Sequence, residues 1–141
     1  MATAEQIARE YLEAWNRRDW ETFRGVLDDQ YTYTGGDGLL QRGPEVGLAV
    51  GQMFATAFPE GRIDVEHIHV AGETAVVEFI GKGTHKGDLM GIAPTGRQMS
   101  INVCTVLTIR NGKIVTEREY MDMLSLMQQL GVAAMPAQAT A

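Results

Sequence analysis

Cysteine is almost missing from this chain. Cys104 stands alone among 141 residues, so no disulfide can form within it and stability must come from packing. A lone thiol fits a reducing compartment. Its setting, Asn102-Val103-Cys104-Thr105-Val106, is an apolar strand run. That predicts a buried structural thiol rather than a nucleophile. Long apolar runs are missing as well. No stretch approaches the ~18 residues of a membrane span, and MATAEQIARE has no basic segment leading into an apolar one. Neither a membrane partner nor a signal peptide is expected, and the default location is the cytoplasm. Positive charge is scarce: 12 Lys and Arg against 18 Asp and Glu leave a net charge of −6. This argues against nucleic acid as a partner, because phosphate neutralisation needs a cationic excess.

Several motifs are also missing. Gly35-Gly36-Asp37-Gly38 lacks the Gly-Lys-Ser/Thr ending of a phosphate loop. There is no dinucleotide fingerprint, serine elbow or zinc spacing. His67 and His69 share a strand face, but no third ligand accompanies them, so no metal is expected.

What is present is ordinary globular composition, 45% hydrophobic and 21% charged. Ile7, Tyr11, Ala14 and Trp15 form one stripe and predict a helix over 4–18, with Thr3 as N-cap. Asp19 opens a second helix over 20–27, carrying Trp20, Phe23 and Leu27, and Asp28-Asp29 ends it. Tyr31 to Thr34 reads as a strand, the glycine run as a turn, and Leu39-Leu40 as a short return strand. Pro44 starts a third helix whose buried face should be Val46, Val50, Met53, Phe54 and Ala57. Then come four strands, 62–70, 74–85, 98–110 and 113–123, the last two joined by the hairpin signal Asn111-Gly112. Leu124, Met127 and Leu130 suggest a short final helix closed by Gly131. One domain over 1–132 and a flexible tail over 133–141 are expected. The order is α+β. Strands this long should curl into a curved antiparallel sheet with helices over one face, enclosing a cavity.

Gly83-Thr84-His85-Lys86-Gly87, Pro94-Thr95-Gly96, the ending Gln129-Leu130-Gly131 and the opening Tyr11-Leu12-Glu13-Ala14-Trp15-Asn16 carry a resemblance. Over nearly its whole length the chain resembles the SnoaL-like polyketide cyclase (ester cyclase) family. The resemblance implies the cone-shaped fold of nuclear transport factor 2 and ketosteroid isomerase, and a homodimer packed through the sheet. It also implies a polyketide-like ligand, no cofactor, and ring closure by intramolecular aldol condensation. A carboxylate on the last strand does the family's acid–base work. It matches Glu119 here, where the family cyclases have Asp. The histidine that often lies two residues earlier is Glu117, and a pocket asparagine on the first strand aligns with Tyr33.

Alternation sets Val115, Glu117, Glu119 and Met121 on one strand face and Ile114, Thr116, Arg118 and Tyr120 on the other. Two carboxylates roughly 7 Å apart in a dry pocket disfavour double ionisation, so one should hold a proton near neutrality. That suits proton abstraction next to a carbonyl, followed by proton return to an alkoxide. His85, at the mouth of a loop, is a third catalytic candidate, with a loop-fixing role as its alternative. Candidate substrate contacts are Tyr33, Tyr11, Trp15, Met53, Met99, Val103, Thr105 and Met121, a set in which methionine supplies adaptable wall. Two alternatives stand beside the cyclase. Glu117-Arg118-Glu119 invites an epoxide hydrolase or isomerase, provided a bulge brings Arg118 round. The same fold can also serve as a non-catalytic binding or dimerisation module.

Overall fold

The computed structural model describes residues 2–133. Apart from its first residue, the tail expected over 133–141 lies outside the described residues. Helix α1, Ala4–Arg17, starts on a capping box in which Thr3 and Gln6 satisfy each other's backbone N–H groups. It ends at Arg18, which takes a left-handed conformation, covers the Trp15 ring, and donates to the carbonyls of Phe58, Pro59 and Gly61. Helix α2, Trp20–Gly25, follows at once with Asp19 as its cap.

The second helix is shorter than its apolar pattern suggests. Strand β1, Leu27–Thr34, already begins at Leu27 and takes Asp28 and Asp29 with it. Parallel pairing to the last strand, with Leu27 opposite Ile114, outweighs the local helical pattern. Strand β2, Leu40–Arg42, is a short edge. In helix α3, Pro44–Ala57, the fully buried positions are Pro44, Gly47, Gly51 and Ala57. The expected aliphatic face of Val46, Val50, Met53 and Phe54 is only partly buried. Its glycines face inward because rings fill the space: a Cβ on Gly47 would lie 2.9 Å from the Tyr31 ring, and one on Gly51 2.8 Å from Phe23.

Strands β3 (Arg62–Ala71), β4 (Thr74–Thr84), β5 (Gln98–Arg110) and β6 (Lys113–Met121) complete the sheet. Its order is β2-β1-β6-β5-β4-β3, antiparallel except for the β1–β6 pair. Asn111 and Gly112 both have positive φ, as the two-residue hairpin requires. Helix α4, Met123–Gln129, ends with Gly131 in the left-handed region. Leu126 and Leu130 are its buried residues, whereas Leu124 is exposed. Asn16 of α1 exchanges two hydrogen bonds with the Ile63 backbone, tying the helix layer to the sheet edge at β3. The core lies between the inner sheet face and the helices.

Two expectations about the strands need correction. Cys104 is half-exposed, because β5 buries Val103 and Thr105 and turns the intervening thiol to the outer sheet face. Ile114 does not share a face with Arg118. It is buried, since a register shift leaves Val115 as an extra residue on β6 and flips the phase of the strand before Glu117.

Candidate active site

The β6 bulge lets Ile114 fill the base of the cone while Glu117, Glu119 and Met121 face its interior. Strand β1 lies alongside and presents Tyr31 and Tyr33 on the same side. Helix α1 adds Tyr11 from above. Tyr11, Tyr33, Glu117, Glu119 and Met121 border a cavity of about 740 Å³, counting the part open to solvent. Tyr11, Trp15, Phe23, Tyr33, Phe54, Phe58 and Phe79 supply aromatic wall, and Met99, Ile101, Val103 and Met121 supply aliphatic floor.

Glu117 is 4% exposed. One of its oxygens accepts from the hydroxyls of Tyr11 and Tyr31, each at 2.7 Å, and the other accepts from Thr105 at 2.9 Å. Burial pushes its pKa up, and the three hydroxyl donors pull it down. Burial outweighs the donors, so this carboxyl stays above the ordinary carboxylate range, but three donors against one make it the more readily ionised of the pair. Glu119 is half-buried in the cavity wall and has one donor, Tyr33, at 2.9 Å. Burial and then the neighbouring Glu117 push its pKa up to about 8, against the pull of Tyr33. The pair therefore divides its charge: Glu117 holds the anion and Glu119 holds the proton near neutrality. The tyrosines are raised above their ordinary value, first by burial and then by these carboxylates, so they remain donors.

Most of the residues picked out in the sequence meet here. Glu117, Glu119, Tyr33, Tyr11, Trp15, Met99, Val103 and Met121 all line the cavity. Thr105 reaches it through Glu117. Met53 does not line it; it packs against the core from the outer part of α3. His85 is also outside the cavity wall. It is fully buried in the 85–97 loop, where its Nδ1 accepts from the Thr95 N–H at 3.1 Å and its backbone bonds Arg97 and Gly96. Its ring leans on Phe58 at 5.6 Å. That is the loop-fixing role. Tyr31 escaped sequence reasoning, although its spacing from Tyr33 already sets both rings on one strand face. Arg118 is exposed on the opposite face, so a Glu-Arg-Glu cluster does not assemble. Among the described residues no group of three metal-ligating side chains occurs, and no helix is long and apolar enough to cross a membrane.

A family model described as SnoaL-like polyketide cyclase matches residues 5–130. The chain belongs to that family. Aklanonic acid methyl ester cyclase AcmA of Streptomyces galilaeus is 29% identical over 132 residues, covering 91% of this chain and 92% of the relative. The solved structure of IdmH from Streptomyces antibioticus superimposes with a TM-score of 0.81 at 25% identity, over 93% of this chain and all of the other. A protein of Catenulispora acidiphila with a ketosteroid isomerase-like fold superimposes with a TM-score of 0.77 at 17% identity, over 93% of this chain and 96% of the other. Membership places the chain among enzymes of the polyketide cyclase type.

Proposed function

We propose that this SnoaL-like protein closes a ring by intramolecular aldol condensation of an apolar, polyketide-like substrate, with Glu119 carrying the proton. The observation behind this is the unequal carboxylate pair at the deep end of an aromatic cavity. In its ionised form Glu119 removes a proton from the carbon next to a carbonyl. The resulting enolate attacks a second carbonyl carbon of the same molecule, and the alkoxide formed takes the proton back from Glu119. A base raised to about 8 matches a weak carbon acid better than an ordinary carboxylate does. Glu117 stays ionised and keeps the proton affinity of Glu119 high. The Tyr33 hydroxyl, already beside Glu119, serves the oxygen on which charge develops. An open cavity beside a raised carboxylate speaks for catalysis over a plain binding module, and the exposed Arg118 speaks against epoxide hydrolysis.

The test is Glu119→Gln. On a polyketide diketone ester, turnover should fall by about 10²- to 10⁴-fold, with folding intact by circular dichroism. Undiminished turnover would refute the assignment.

A further inference from the structure

The outer sheet face carries side chains that the chemistry on the inner face leaves unused. Strand β3 is the sheet edge, and it is bulged. Its pairing with β4 slips between Val65 and His67, which leaves Glu66 as the extra residue. Unbroken alternation from Val65, opposite buried Phe79, would turn His67 and His69 inward. The bulge reverses this. Ile68 comes to lie opposite buried Val77, while His67 and His69 stand exposed beside Glu78, the residue directly across from His67. Burial of Ile68 accounts for the bulge. It does not call for an imidazole at both outward positions.

The two rings lie 5.9 Å apart between centroids and within 28° of parallel. His69 Nε2 is 2.8 Å from Glu78 Oε2. A carboxylate only accepts, so Nε2 carries the hydrogen and Nδ1 keeps its lone pair. A carboxylate behind an imidazole is the arrangement that fixes tautomer and orientation in metal-ligating histidines. An ion bonded at roughly 2.0–2.1 Å to one nitrogen of each ring spans such a gap, once the exposed rings turn about their outer torsions. Cys104 is out of reach. It is level with Glu78 but on β5, two strands or roughly 10 Å from β3. Burial, and then Glu78, also push its thiol up, away from the thiolate that would bind a metal.

We infer that His67 and His69 chelate one divalent transition-metal ion on the outer face, with Glu78 orienting His69 from behind. Glu78 bonds the ring rather than the ion, so the protein supplies two imidazoles and water fills the other positions. Imidazole donors in an open, exposed site suit copper(II) first, then nickel(II) and zinc(II). The site lies across the sheet from Glu119 and is independent of the cyclase reading.

Titration of the untagged chain with copper(II) and zinc(II) tests this, read by calorimetry and, for copper, by electron paramagnetic resonance. One ion per chain, two coupled nitrogens and tighter binding of copper than of zinc are expected. His67→Ala and His69→Ala should each weaken binding by about 10²-fold, because one imidazole alone loses the chelate. Glu78→Ala should weaken it about tenfold, and Cys104→Ser should leave it unchanged. None of these four side chains is in the core, so circular dichroism and Tm of the metal-free variants should match the native chain. No binding, or equal binding in the histidine variants, would mean an adventitious ion only and overturn the inference. One ion shared by two chains, loss of binding in Cys104→Ser, or undiminished affinity in Glu78→Ala would overturn it too.

Discussion

Glu117 and Glu119 are the same side chain two residues apart, and they differ in company: three hydroxyl donors against one. That difference predicts their titration. Removing the anion in Glu117→Gln should lower the pKa of Glu119 from about 8 towards its ordinary 4.5. Tyr33→Phe should move it the other way, since the lost hydrogen bond was holding it down. Carboxyl-carbon NMR titration reads both shifts. Catalysis follows the same group: the rate under base-limited conditions should climb with pH through an apparent pKa near 8 and climb earlier in Glu117→Gln. Stability runs opposite. The folded pKa of Glu119 lies above its unfolded value, so the native state binds the extra proton. Its contribution is full below about 4.5 and is lost as pH rises through about 8. Tm should fall across that window, and Glu119→Gln should flatten the fall.

At the scale of elements, α3 and β6 do the positioning. Gly47 lets α3 sit against the Tyr31 ring, and that ring holds Glu117. Gly47→Ala should destabilise the protein by about 1–3 kcal/mol through overpacking, measured by urea unfolding, and should loosen the Tyr31–Glu117 hydrogen bond with it. Such packing explains what was legible in the sequence. Helices α1 and α3, the long strands and the Asn111-Gly112 turn announce themselves because periodicity and turn chemistry are local. The β1 start at Leu27, the bulge at Val115 and the inward glycines of α3 answer to partners far along the chain. Within the site, Glu117, Glu119 and Tyr33 follow from the family resemblance. Tyr31 shares its strand face with Tyr33 by simple alternation, but its bond to Glu117 and the burial of His85 against Thr95 and Phe58 depend on contacts distant in the chain or within the folded loop.

Over the whole molecule, one sheet face is spent on the cavity and the other faces outward with Tyr120 59% exposed. We propose that a second copy covers this outer face, as the family resemblance implies. Sedimentation should then give a dimer, and Tyr120→Arg should weaken it. The central place of β6 has a consequence in time. It is the last of the described strands to be made, yet it lies between β1 and β5, and its Glu117 bonds reach back 86 residues to Tyr31 and 106 to Tyr11. The growing chain cannot seal its sheet early, because a slot between the first strand and the fifth has to wait for residues 113–121 to leave the ribosome. Closure is thus a late, long-range event of the kind that slows folding, and it carries two acidic groups out of water as it happens. Refolding should accordingly quicken as pH is lowered towards the ordinary 4.5 of the unfolded chain, where Glu119 enters already protonated, and Glu119→Gln should show less of that acceleration.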